Sequence, residues 1–186
     1  MIIDRRNILT AAAILPLLSV AMRTEAAETA PASKLDLSGI TTIRQFAAQV
    51  ITRADLSRAA SEVAVKKAVR ADAREFAGFE LMEANTVIAV LKELGTAVPA
   101  MAPPTEATLA MIVDAAEGAA FDKAYIGAEC ENHAFLRDLA AAYLKNSDAN
   151  TVDIGERHGR QLATVAFWAF TEHTAITHRI AQQLAG

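Results

Sequence analysis

The residues of this sequence best suited to chemistry begin with a short run of acidic, phenolic and imidazole side chains. Asp122, Tyr125, Glu129 and His133 follow one another at steps of three, four and four residues. On an α-helix these steps place the side chains along one stripe. Two carboxyl groups, a phenol and an imidazole on one stripe are able to bind a metal ion or to form a buried hydrogen-bond network.

Three further polar residues fall within otherwise apolar helical patterns. Glu83 lies four residues after Phe79 and four before Val87, and burying its ionised carboxylate without a partner costs on the order of several kcal/mol. His173 lies in the centre of the apolar stripe of the last predicted helix, so its imidazole needs a hydrogen-bond partner or a metal ion. Glu62 shares a face with apolar residues of the first predicted helix, although that stripe is poorly defined.

One hypothesis is a metal site in the interior of a helix bundle. Carboxylate and imidazole ligands suit iron and manganese, and the interiors of bundles are where such sites are built. In an enzyme, this site would serve a metal-dependent oxidase or a peroxide-consuming protein. The predicted ligands are Glu62, Glu83, Glu129, His133 and His173.

The alternative hypothesis is a structural polar network that fixes the register of the helices. Asp122 and Tyr125 would then cap or brace a bend near Gly118. Glu129 and His133 are four residues apart, which permits a simple ion pair within one helix. The Glu-x-x-His spacing of ferritin-like di-metal proteins occurs nowhere in the chain. No catalytic residue is assigned from the sequence, and both hypotheses stay open.

The elements that must position these residues are predicted to be helices. The hydrophobic fraction is 53%, much of it alanine, which favours helix over strand. In the second helix the spacing predicts a core stripe of Phe76, Phe79, Val87, Val90, Leu91 and Leu94, with Gly95 at the C-terminal cap. The predicted helices span residues 41–69 (with a possible break at 52–55), 72–94, 106–116 capped by Thr105, a long segment led by 121–125, and 152–184.

The predicted fold is therefore all-α: an up-and-down four-helix bundle with a short extra helix before the third long helix. A bundle of this kind brings Glu83, Glu129 and His173 towards one interior. The chain has 186 residues, which is the size of one domain, and its net charge of −4 argues against nucleic acid as a partner. Cys130 is the single cysteine, so no intramolecular disulfide forms.

The amino terminus has the pattern of a cleavable signal peptide. Arg5 and Arg6 precede an apolar run over 10–22 that is too short to span a bilayer. We expect cleavage near Ala26, with Ala32 as the second choice. The paired arginines are similar to a twin-arginine export signal, and the alternative is a general secretory leader.

The predicted domain organisation follows from this leader. Residues 1–26 form the signal peptide, residues 27–39 a flexible lead-in and residues 40–186 the helical bundle. The predicted location is periplasmic or secreted, with no stable membrane anchor after cleavage of the signal.

The same residues resemble a known family. The chain resembles the bacterial domain of unknown function 4142 over about residues 40–184. The best of the shared motifs is Phe121-Asp122-x-x-Tyr125 with His133 eight residues beyond. The others are Phe76-Ala77 ahead of Glu83, Glu62 after Ala-Ala-Ser, and His173 in the closing helix. The resemblance implies an exported, ferritin-like helical domain, with Ala84 where the family typically has histidine and Trp168 where it usually has proline. The resemblance supports the fold more than the function. From the chain as a whole we expect a binding or interaction module of the bacterial envelope, whose partner is an envelope protein or a small ligand.

Overall fold

Five α-helices make up most of residues 36–186, which are the residues that the computed structural model describes. No strand occurs in this part of the chain, so the prediction of an all-α bundle is confirmed. The predicted leader and most of the predicted lead-in lie outside the described residues, and they stay predictions. The helices are α1 (Ile43–Lys67), α2 (Ala71–Glu93), α3 (Pro103–Asp114), α4 (Ala119–Asn146) and α5 (Ile154–Ala185).

Helix α1 begins at a capping box and runs without interruption. The Thr42 side chain accepts a hydrogen bond from the Gln45 backbone, and the Gln45 side chain accepts one from the Thr42 backbone. These reciprocal bonds satisfy two backbone N–H groups at the start of the helix. The possible break at 52–55 is absent, and small residues such as Ala60 and Ala64 lie fully buried on the face that packs against the bundle.

Helix α2 presents a different face to the core from the one that its large apolar residues predict. Its buried residues are Ala73, Phe76, Ala77, Glu80, Ala84 and Leu91. Phe79 is 58% exposed and Leu94 67% exposed, so the predicted stripe is wrong at these positions. The buried face is rich in alanine because a small side chain lets α2 approach its neighbours closely. Helix α2 is therefore rotated about its axis relative to the prediction, and this rotation places Glu80 in the interior. The predicted cap is confirmed: Gly95 has φ of 84°, and Thr96 N–H donates to the Leu91 carbonyl over 2.8 Å.

Helix α3 begins at two prolines. Pro103 and Pro104 occupy its first positions, where the missing N–H costs nothing, and Ala102, not Thr105, is the N-cap residue. Ile112 is fully buried. Gly118, with φ of 87°, then leads directly into α4.

The directions of the helices depart from a strict up-and-down order. Helix α4 is antiparallel to α1, because Phe46 stacks on Tyr143 near one end while the Val69 backbone donates to Asp122 near the other. The short turn at Ala68 makes α2 antiparallel to α1 as well, so α2 and α4 run the same way. The connection that contains α3 therefore crosses the length of the bundle. A single long crossover is a feature of ferritin-like bundles, and the ferritin-like assignment itself stays a prediction.

A layer of buried polar residues separates two hydrophobic clusters along the bundle. The cluster around Phe46 is built from residues such as Ile51, Leu139, Tyr143 and Phe170. The cluster around Phe121 includes Phe76, Tyr125, Ile126 and Ile180. Between them lie the buried residues Ser57, Glu80, Glu129, Asn132 and His133. Within residues 36–186 no helix is sufficiently long and apolar to cross a membrane.

Candidate metal centre

Three helices contribute one side chain each to the centre of the polar layer. Glu80 comes from α2, His133 from α4 and His173 from α5. Glu80 is 4% and His133 1% exposed, so both side chains have left water. His173 keeps 16% of its side-chain surface, which makes it the most accessible of the three. Isolated polar groups in such a place are costly, so their mutual geometry decides what the layer can do.

The three facing atoms form a nearly equilateral triangle. Glu80 Oε2 lies 3.2 Å from His133 Nε2 and 3.4 Å from His173 Nδ1. The third side, from His173 Nδ1 to His133 Nε2, is 3.2 Å. The arrangement therefore presents two ring nitrogens and one carboxylate oxygen towards a common point.

This triangle matches the spacing of ligands around a transition-metal ion. With bonds of about 2.1 Å, two ligand atoms stand about 3.0 Å apart in cis positions of an octahedron and about 3.4 Å apart in a tetrahedron. The observed sides of 3.2–3.4 Å fall in that interval. In addition, Glu80 Oε2 is buried and accepts no hydrogen bond of good geometry. An ion held by the three atoms would satisfy this oxygen, so the residues fit a metal.

The far side of each imidazole has a partner that fixes its orientation. His133 Nδ1 lies 2.8 Å from the Glu129 carbonyl and donates to it, which leaves the Nε2 lone pair of the neutral ring facing Glu80. His173 Nε2 lies 3.5 Å from Glu83 Oε2. Histidines that bind metal ions usually give their other N–H to a carbonyl or carboxylate, and this contact raises their basicity. Both imidazoles are arranged in this manner.

In the absence of an ion, the charges of the layer form a buried pair. Burial by itself raises the pKa of Glu80, but the His133 and His173 imidazoles outweigh it and lower the pKa well below its usual range. Burial by itself lowers the pKa of His133, whereas the attraction of Glu80 and Glu129 reverses this effect and raises the pKa to about 9. The metal-free layer therefore holds a protonated His133 against an ionised Glu80.

Glu129 is the second buried carboxyl group and behaves differently. Burial, followed by repulsion from Glu80, raises the pKa of Glu129 to about 7. Its Oε2 accepts a hydrogen bond from Ser57 Oγ over 2.8 Å, and Asn132 Nδ2 donates to the same hydroxyl over 2.9 Å. These bonds connect α4 to α1. Glu129 is thus a supporting residue beside His133, from which its Oε2 is 3.5 Å away.

Aromatic side chains close the site on two sides. Phe76 meets the rings of His133 and His173 edge-on, with centroid distances of 5.8 and 5.7 Å. Phe170 lies 6.1 Å from the His133 ring. These rings exclude water, and the lower local dielectric strengthens the interactions among the charged groups.

The structure gathers four of the five predicted ligands into one region. Glu129, His133 and His173 lie in or beside the layer, and Glu83 lies at its rim with 35% of its side chain exposed. Burial is the largest influence on the Glu83 carboxyl group and raises its pKa.

Glu62 is not part of the site, and the prediction that places it there is wrong. Its side chain is 51% exposed and pairs with Arg58 over 2.7 Å. The apolar stripe of α1 is weak and did not define which face is buried, and the polar residues that this helix buries are Ser57 and Ser61.

Glu80 is the residue of the triangle that the sequence analysis did not identify. It lies four residues after Phe76 and four before Ala84, which are both buried. This spacing could have identified it, but the larger side chains of Phe79, Val90 and Leu94 directed the prediction to a neighbouring face.

Asp122 and Tyr125 have structural roles away from the triangle. The fully buried Asp122 accepts from the backbone N–H groups of Val69 and Arg70 over 3.1 and 2.9 Å, so it braces the turn between α1 and α2. The Tyr125 hydroxyl lies 2.9 Å from Ser61 Oγ and links α4 to α1. Bracing is thus observed, although at the turn before α2 and not at Gly118.

Comparison with known proteins identifies a family. Neither the curated proteins nor the solved structures give a significant match to this chain. The family model described as a domain of unknown function (DUF4142) matches residues 25–154, which is more than half of the 186 residues. The match includes Glu80 and His133 and ends where α5 begins, so His173 lies beyond it. The chain belongs to the family of the domain of unknown function 4142.

Proposed function

We propose that this domain binds one transition-metal ion, iron or manganese, through Glu80, His133 and His173. The observation that carries the proposal is the triangle of two nitrogens and one oxygen with sides of 3.2–3.4 Å. Two histidines and one carboxylate leave other coordination positions open, which is the arrangement typical of non-haem iron sites.

The residues around the triangle have separate tasks in this proposal. Glu80 supplies the negative charge that a divalent cation requires, while Glu83 and the Glu129 carbonyl hold the two imidazoles in place. A bound iron or manganese ion supplies redox and Lewis-acid chemistry at its open positions. The aromatic rings of Phe76 and Phe170 limit the access of water.

If the domain uses the bound iron or manganese ion for catalysis, it would be an oxidase or a peroxide-consuming protein. The accessible edge of the site favours this form of the proposal over a purely structural ion, because structural metal sites are closed. Here His173 is partly exposed and Glu83 faces both the site and the surface. Small molecules therefore have a side from which to approach.

The second candidate function is a metal-free binding or interaction module of the bacterial envelope. It is favoured by the buried pair of His133 and Glu80, since each group stabilises the charged form of the other without an ion. In this case the layer specifies helix register, and an envelope protein or a small ligand binds elsewhere. The envelope location in both candidates rests on the leader-like amino terminus.

Metal analysis of the purified domain tests the proposal. We expect about one iron or manganese ion per chain after reconstitution with Fe²⁺ or Mn²⁺ under anaerobic conditions, and loss of the ion in His173→Ala and Glu80→Gln. His178→Ala is the matched control, because His178 lies on α5 but is exposed. Circular dichroism verifies that each variant is folded.

Two outcomes would count against the proposal. A wild-type domain that binds no metal, with His173→Ala merely melting at a lower temperature, would support the structural network. If the domain binds one zinc ion per chain and neither iron nor manganese, the proposed site stands but the proposed choice of ion is wrong.

A further inference from the structure

A groove runs along the seam between α2 and α5. Helix α2 packs on α1 and α5 packs on α4 along their lengths, whereas α2 and α5 have few direct contacts with each other. The space between them has a volume of about 360 Å³. Cavities of about 300–1,000 Å³ are the usual size of sites for small organic ligands.

The walls of this groove are apolar over most of their length. Helix α2 contributes Val87 and Val90, α5 contributes Leu162 and Ala166, and Phe46 of α1 lies among the lining residues. Leu162 and Val90 are partly exposed. Water in contact with such walls is displaced favourably by an apolar molecule.

The inner end of the groove is polar and adjoins the metal centre. Glu83 lines the groove and also a smaller cavity of about 20 Å³, whose lining includes Glu80 and Ser57. The smaller cavity has room for about one water molecule. Glu83 is also the carboxylate that faces His173 Nε2 over 3.5 Å. A molecule in the groove would therefore end beside the residues of the proposed site.

The charges at this end select the chemistry of the ligand. Glu83 lines this end of the groove, Glu80 lines the small cavity behind it, and no lysine or arginine is among the lining residues of either. An anionic head group, such as that of a fatty acid, would be repelled. A neutral hydroxyl group can donate a hydrogen bond to the Glu83 carboxylate without bringing further charge.

We infer that the groove between α2 and α5 binds a small neutral molecule with an apolar body and a hydroxyl group, the hydroxyl directed at Glu83. The inference deepens the proposed function and rests on it for the role of this molecule as a substrate. Binding itself depends only on the groove, so it is measured with and without metal.

Calorimetric titration of the mature domain with 4-hexylphenol tests the inference. We expect saturable binding at one site in both metal-loaded and chelator-treated protein. 4-Hexylanisole, which lacks the donor, should bind about fivefold more weakly. 4-Hexylbenzoate brings a negative charge beside Glu83 and should bind the chelator-treated protein more weakly still.

Variants locate the binding site. Ala166→Phe fills the groove and should weaken 4-hexylphenol binding about tenfold or more, and Leu162→Trp provides a second obstruction at a partly exposed position. Ala175→Phe is the matched control, since it makes the same change on an exposed part of α5. Glu83→Ala should remove the preference for the phenol over the anisole.

The outcomes separate this inference from the metal proposal. No binding of 4-hexylphenol, equal weakening by Ala166→Phe and Ala175→Phe, or tighter binding of the benzoate by the chelator-treated protein would overturn it. Sedimentation that shows a dimer of the chain, together with no binding of the phenol, would also overturn it and would point to a second copy as the occupant of the groove. If the protein binds 4-hexylphenol but takes up no metal, the proposed binding groove stands and the proposed metal site is wrong.

Discussion

At the scale of single residues, Glu80 determines what the polar layer is able to do. It is the carboxylate that faces both His133 and His173, and its Oε2 has no hydrogen bond of good geometry. Glu83 and Glu129 each face the outer side of one imidazole. In the proposal one of these three acids is therefore a ligand, and the other two support the imidazoles.

Asp122 should be among the most sensitive positions for stability. Replacing it with alanine leaves the backbone N–H groups of Val69 and Arg70 without their buried acceptor, and Arg70 provides no side-chain cap for α2. We expect Asp122→Ala to lower the free energy of unfolding by about 3 kcal/mol, measured by urea denaturation. Asp138→Ala, at an exposed ion pair, should change it by less than about 0.5 kcal/mol. Equal effects of the two variants would contradict this role for Asp122.

Glu129 should make the metal-free protein less stable as the pH rises. Its pKa is raised to about 7, above that of an exposed glutamate, so folding favours its protonated form. This contribution is fully present below about pH 4.5 and is lost as the pH rises through 7. In the presence of a chelator, thermal melts from pH 5 to 8 should fall more steeply for the wild type than for Glu129→Gln. Glu80, His133 and the Ser57 hydroxyl face the same carboxyl group and are unchanged in both proteins. Parallel curves would show that Glu129 is not the group responsible.

The imidazoles and the supporting acids were predicted from the sequence, whereas the central carboxylate was missed. His173 and Glu129 stand out because a polar side chain interrupts an apolar stripe. Glu80 shares its buried face with Phe76 and with alanines, and alanine is common on both faces of a helix. The burial of Glu80 depends on the rotation of α2 against α1, which tertiary packing sets.

At the scale of helices, close contact at one end of the bundle fixes α5 against α1. A Cβ atom at Gly159 would lie 2.6–2.7 Å from side-chain atoms of Ile43. Nearby, the Glu156 carboxylate accepts from the Ile43 backbone over 3.0 and 3.1 Å and from the Tyr143 hydroxyl over 2.9 Å. The start of α5 is therefore held by both contact and hydrogen bonding.

A pair of glycine substitutions tests this contact. Gly159→Ala should destabilise the fold by about 1–3 kcal/mol, because Ile43 or the backbone must move. Gly127→Ala is the matched change in α4, where an added Cβ meets nothing within 4 Å, and it should stabilise the fold by up to about 1 kcal/mol. Chemical denaturation of both variants measures these differences. Destabilisation by Gly127→Ala of the same size would refute the explanation.

The number and order of helices are predictable from periodicity, but their boundaries and directions depend on other physics. The third helix is predicted to begin at residue 106, but Pro103 and Pro104 already occupy its first positions, since the first helical N–H groups need no partner within the helix. Helices α2 and α4 run in the same direction because the connection between them, which contains α3, is long enough to cross the bundle. Hydrophobic patterns give no information on this direction.

At the scale of the whole molecule, the proposed metal site joins the two helix pairs. Glu80 belongs to the pair α1 and α2, whereas His133 and His173 belong to the pair α4 and α5. Apart from this layer, the seam between α2 and α5 has few direct contacts. An ion would therefore act as a cross-link between two helices that pack little against each other.

Metal binding should raise the melting temperature. At an ion concentration about one hundredfold above the dissociation constant, the gain is about 2.7 kcal/mol, which corresponds to about 5–10 °C for a domain of this size. Differential scanning fluorimetry with Mn²⁺ or anaerobic Fe²⁺ measures the shift, and chelator should reverse it. His173→Ala should show no shift and His178→Ala the full one. Equal shifts in both variants would mean that the ion binds elsewhere.

The division of the proposed ligands between the two helix pairs has a consequence for how an ion would be acquired. A chain in which the pairs have not yet docked would offer two imidazoles without the Glu80 carboxylate, so the proposed site would reach high affinity only when the pairs meet. The metals available at that moment, in whichever compartment the chain matures, would then decide which ion it binds.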